Sequence, residues 1–91
     1  MRVEVRESLD AYLNDVLEII EVTVFMWERF KKIGLIENVQ DAVIGNIWAW
    51  CGGKHVLLVG KLSDRDANDF AKWFEGKAYK IKSDVRLASN K

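Results

Sequence analysis

Ala42 to Leu62 reads AVIGNIWAWCGGKHVLLVGKL, two apolar runs that meet at Gly52-Gly53. A Gly-Gly pair takes positive φ at both central positions of a tight turn without steric cost, so the stretch reads as a β-hairpin with a two-residue loop. Placing Cys51 opposite Lys54 pairs Trp50 with His55, Ala49 with Val56, Trp48 with Leu57, Ile47 with Leu58, Asn46 with Val59 and Gly45 with Gly60. Strand alternation then sorts the side chains onto two faces. Val43, Ile47, Ala49, Cys51, Val56, Leu58 and Leu62 form a face of small and medium apolar groups suited to packing under helices. The other face carries Ile44, Asn46, Trp48, Trp50, His55, Leu57, Val59 and Lys61, and nothing evident covers it.

Downstream, Leu62-Ser63-Asp64-Arg65-Asp66 reads as a helix start. Ser63 caps it, Asp66 stands where a carboxylate reaches back to the cap, and Leu62 can pack on Ala67. Ala67, Phe70, Ala71 and Phe74 make its buried stripe, Trp73 lies at the margin, and Gly76 ends it. Tyr79, Ile81, Ser83, Val85 and Leu87 then alternate with Lys80, Lys82, Asp84 and Arg86, which predicts a last strand.

Upstream, Leu9, Tyr12, Leu13, Val16, Ile20, Val24, Trp27 and Phe30 fall three or four apart, a helical stripe that starts at Ser8 and stops at Lys31-Lys32 and Gly34. At about 1.5 Å per residue this helix reaches roughly 37 Å, longer than a strand of the expected size, so its far end overhangs the sheet. Val22 and Phe25 fall outside the stripe, which marks them as contacts for a partner beyond the domain's own sheet. Val3 and Val5 alternate with Arg2, Glu4 and Arg6 as a short first strand. Leu35 to Asp41 is a connection without a clear type.

Strand, helix, strand, strand, helix, strand is the order of the ferredoxin-like sandwich. The expected fold is therefore α+β, a two-layer sandwich of β-α-β-β-α-β order with an antiparallel sheet and both helices on one face. Residues 1–91 form a single domain.

The totals narrow the function. Fourteen basic and fourteen acidic residues cancel, which removes the broad positive field that supports non-specific nucleic-acid binding. One cysteine allows no internal disulfide and suits a reducing compartment. No signal-peptide core opens the chain, and charges interrupt its first long apolar stretch, so the reading is a soluble, cytoplasmic protein with no membrane partner.

Site chemistry is sparse. Asp64, Asp66, Asn68 and Glu75 match four positions of an EF-hand calcium loop, but Asp69 stands where that loop needs glycine and a strand precedes it where a helix is required. Cys51 and His55 suggest a thiol and its base, yet the hairpin register sets them on opposite faces. Gly52-Gly53-Lys54 is similar to part of a phosphate loop, although no glycine stands at the earlier position and His55 replaces Ser or Thr. No metal cluster, nucleophile elbow or dinucleotide fingerprint is present, so neither cofactor nor catalysis is expected.

Large aromatics bury roughly 150 to 250 Å² each, so the face with Trp48, Trp50, His55, Leu57 and Val59 is expected to approach or pass the few hundred Å² at which an apolar patch marks an interaction site. The leading expectation is a non-catalytic protein-interaction module, self-associating, that acts as a small regulator or inhibitor of a larger complex. The alternative is a single-stranded nucleic-acid-binding domain using the open sheet face, where Arg2, Arg6, Lys80, Lys82 and Arg86 adjoin the aromatics. The element order resembles an RNA-recognition motif, but that family places its stacking aromatics on central strands, and Lys54 to Leu62 has none.

Overall fold

The stretch expected to turn at Gly52-Gly53 runs straight through it as one helix. In the computed structural model, which describes residues 1–90, α1 spans Val3–Glu18, α2 Ile20–Lys32, α3 Val39–Val59, α4 Asp64–Gly76 and α5 Ala78–Ser89. No strand occurs among the described residues, so an all-α bundle replaces the α+β ferredoxin-like sandwich and its antiparallel sheet.

The buried residues of α3 are Val43, Ile47, Cys51 and His55, spaced four apart. A strand and a helix both place 43, 47 and 51 on one side, so these positions do not distinguish the two. Gly45 and Ala49 do: a strand would bury them beside Ile47, a helix turns them away, and both are exposed. Neither Gly52 nor Gly53 has positive φ; among the described residues only Gly34 and Gly60 do. A glycine inside a helix costs roughly 0.5 to 1 kcal/mol relative to alanine. Fully burying one Val or Ile contributes about 1.5 to 3 kcal/mol, so the packing of this stripe outweighs both glycines. Asn38 caps the helix by accepting from the Asp41 N–H at 2.9 Å, which gives the untyped Leu35 to Asp41 connection its role.

This conformation sets the sign of a test. No atom outside its own helix backbone lies within 4 Å of a methyl added at Gly53, so Gly53→Ala is expected to stabilise the protein by about 0.5 to 1 kcal/mol. Urea unfolding followed by circular dichroism measures it. A hairpin turn at this position requires the opposite result.

The upstream helix forms nearly as its stripe predicts, but it begins earlier and bends. Val3 and Val5 belong to the first turn of α1, with Val5 buried and Val3 exposed, so the expected first strand is absent. Ile19 divides α1 from α2 with φ −101° and ψ 14°. It sits at the head of Ile19-Ile20-Glu21-Val22-Thr23-Val24, whose β-branched side chains are stiff against a preceding helical turn. Gly34 ends α2 at φ 80°, with Leu35 N–H donating to the Phe30 carbonyl at 2.9 Å and Gly34 N–H to that of Lys31 at 3.0 Å.

The α4 start folds as read: Ser63 Oγ accepts from Asp66 N–H at 3.1 Å, and the Asp66 carboxylate accepts from Ser63 N–H at 3.2 Å. The expected last strand is α5. Ile81, Val85 and Ala88 are buried at helical spacing, whereas Tyr79, which alternation would bury, is 90 % exposed.

Each of the other four helices packs against α3. The α1–α2 pair runs antiparallel to it: Val5 of α1 lines one cleft with His55 and Val59 near the end of α3, and Trp27 of α2 donates from its indole to Asn46 near the start at 3.0 Å. α4 packs on α3 through Phe70 and Phe74 against Trp48 and through Phe70 against His55, and α5 closes the bundle against α2 and α3. The result measures 40 × 22 × 18 Å.

Candidate interaction surface

The residues expected on one open sheet face are spread around α3, because neighbours two apart on a helix are rotated by about 200°. Trp48 packs on α4, its ring 4.8 Å from Phe70 and 4.9 Å from Phe74. His55 is not a surface residue beside Trp50: it is 3 % exposed and stacks on Phe70 at 5.2 Å. Val59 packs partly buried against the core. Trp50 turns to the other side, where it lines a groove of about 330 Å³ with Tyr12, Asp15, Val16 and Ile19. Leu57 projects outward, 82 % exposed. The aromatic sheet face therefore does not exist, and a base-stacking platform on it has no structural footing.

Val22 and Phe25 have a different outcome. α2 turns Ile20, Thr23 and Val24 inward, while Val22 and Phe25 stand about 60 % exposed, with Ile19, Met26 and Ile33 also exposed. Positions 19, 22, 26 and 33 recur at helical spacing on one side, with Phe25 beside them, so this is a continuous stripe. The Arg29 guanidinium lies 6.0 Å from the Phe25 ring centroid in the same stripe. Exposures of this order on five large apolar residues sum to about 500 Å², at the upper range for the largest apolar patch of a monomer. Helical arithmetic on Ile19, Met26 and Ile33 would have completed the surface from the sequence.

The titratable groups are mostly structural. Cys51 and His55, expected on opposite faces, share the buried stripe of α3. No hydrogen bond joins them among the described residues, and burial pushes the thiol up to about 11, which keeps it protonated and unreactive. Asp64, Asp66 and Asn68 lie in the first turns of a regular helix, and the described residues contain no group of three or more His, Cys, Asp or Glu placed to hold a metal ion.

Asp10 ties α1 to α4, accepting from the Trp73 indole at 2.9 Å and pairing with Lys77 Nζ at 3.0 Å. Desolvation raises its pKa, but the Trp73 hydrogen bond and the Lys77 and Arg6 charges outweigh it and hold the carboxyl below its ordinary value. A depressed folded pKa contributes stability that is present above the unfolded value of about 3.9 and is lost as pH falls through the folded one. Asp10→Asn is therefore expected to lower stability by up to about 1 kcal/mol at neutral pH, as for a half-exposed pair, with the gap to wild type closing in acid. Urea melts of both proteins over a pH series measure this. A gap that persists in strong acid would show that the charge of Asp10 contributes nothing.

By length and composition α3 is apolar enough to cross a bilayer, with 22 % of the qualifying window buried in the bundle. In the bundle α3 contacts each of the other four helices, and Val43, Ile47, Cys51 and His55 are its buried residues. No protein-family model, curated protein or solved structure matches the chain.

Proposed function

We propose that this protein is a non-catalytic interaction module that pairs with a second copy of itself through the outer face of α2, an arrangement suited to a small regulator or inhibitor of a larger complex. The observation that carries the reading is the stripe of Ile19, Val22, Phe25, Met26 and Ile33, apolar, continuous and without a partner in the bundle. Two such faces together bury on the order of 1,000 Å², at the low end for specific interfaces, where weak, concentration-dependent association is expected.

Charge favours a second copy as occupant. Asp15 and Glu18 precede the stripe, and Arg29, Lys31 and Lys32 close it. A two-fold axis across α2 sets the acidic end of α1 in one copy, just ahead of α2, against the basic end of α2 in the other, giving an isologous antiparallel pair. Light scattering after size exclusion tests the reading over a concentration series. The expected result is a mass that rises from one chain toward two across the micromolar range. A single-chain mass at every concentration overturns self-association.

A further inference from the structure

At one end of the bundle, where α1 begins, α3 ends and α4 begins, lies a cleft of about 370 Å³. Arg2 and Val5, His55 and Val59 of α3, and Arg65, Asp66 and Asp69 of α4 line it. His55 is 97 % buried yet has no hydrogen-bond partner among the described residues. Neither of its ring nitrogens is both sealed and unpaired, so they open to the cleft. A donor held in a mostly buried ring that faces a cleft without a protein partner is free to serve a ligand there.

The charges around it identify what. Both acids are engaged: Asp66 accepts from Ser63 N–H at 3.2 Å and Ser63 Oγ–H at 2.9 Å, and Asp69 pairs with the Met1 amine at 3.2 Å. The arginines are held less tightly: Arg65 makes no ion pair within 4 Å among the described residues, although Arg65 and His55 both act electrostatically on Asp66, and Arg2 reaches only an exposed Glu4 at 4.0 Å. The positive end of α4, a helix of 13 residues, opens at the same place. A cation entering here would meet carboxylates already in use, whereas an oxyanion meets two forked guanidinium groups and an imidazole.

We infer that this cleft binds a small phosphate-bearing anion, with Arg65 and Arg2 clamping the oxygens and the His55 N–H donating from the buried side. The site shares no residue with the α2 stripe and stands apart from self-association. Its volume is at the low end for ligand pockets and fits a free phosphate or a small monoester rather than a larger ligand.

The chain has a single histidine, so its imidazole C–H gives one unambiguous magnetic-resonance signal. Inorganic phosphate titrated into the full chain at constant ionic strength is expected to move that signal saturably, while acetate at matched ionic strength leaves it in place. O-phosphoserine titrated in parallel identifies the source: tighter binding than phosphate assigns the site to a monoester, weaker binding to the free ion. Arg65 is exposed, so Arg65→Gln should fold normally and weaken phosphate binding about tenfold. Val22→Glu should leave binding unchanged. A shift that never saturates, that acetate reproduces, or that Arg65→Gln leaves untouched overturns the inference.

Discussion

Val22→Glu combined with Phe25→Glu is expected to abolish self-association, weakening it at least about a hundredfold and leaving a monomer throughout the micromolar range. Two glutamates in each copy place four carboxylates in the apolar centre of a two-fold interface, where they also repel one another across the axis. Desolvating an unpaired charge costs several kcal/mol, and each 1.4 kcal/mol is tenfold in affinity. Arg29, which lies 6.0 Å from the Phe25 ring centroid in the wild-type protein, and the basic end of α2 offset part of this, so the double change is the decisive one. The fold should survive: both side chains are about 60 % exposed, and substitutions at such positions shift stability by about 0.5 kcal/mol or less. Glutamate is also a better helix former than valine or phenylalanine. Light scattering reads the association, and a melting curve of the same sample shows that the bundle is intact. A double variant that dimerises as well as wild type would move the interface away from α2.

How much the sequence discloses depends on whether each helix is amphipathic. The Leu9 to Phe30 stripe is apolar on one side and polar over much of the other, so its period is readable, and Gly34 stops it where a residue with positive φ is needed. Ser63 and Asp66 form a capping box from four consecutive residues and need no tertiary context. α3 conceals its period. It is apolar all round, so alternation and helical spacing both fit Val43, Ile47 and Cys51, and Gly52-Gly53 tips the balance toward a turn. The signal that opposed the hairpin was Asn38 three residues before Asp41, a cap pattern ahead of a long apolar run. α5 is misleading for a similar reason: Ile81 and Val85 satisfy both periods, and Ala88, not Leu87, is the residue that decides. The exposure of Val22 and Phe25 is legible because they lie on a helix whose period is clear. The cleft around His55 was not, because it requires the end of α3 to meet the starts of α1 and α4.

Ile47 and Ala49 separate the two readings of α3 most sharply, since a hairpin buries both on one face and the helix buries only Ile47. Ile47 is fully enclosed in the helix that contacts every other one. Truncating such a side chain removes its transfer free energy and leaves a cavity, so Ile47→Ala is expected to cost about 2 to 5 kcal/mol. Small domains have about 0.05 to 0.15 kcal/mol per residue of net stability, so this is a large part of the total, and the melting temperature should fall by roughly 10 to 30 °C. Ala49→Lys is the counterpart. On an exposed helical face lysine is close to alanine in propensity, and the change should stay within about 0.5 kcal/mol. On the core face of a sheet the same substitution would bury an ammonium group and unfold the domain. Urea melts of the two variants beside wild type therefore read the geometry of α3 directly. A loss at Ala49→Lys as large as that at Ile47→Ala is the outcome a continuous helix cannot accommodate, because residues two apart on a helix do not share a buried face.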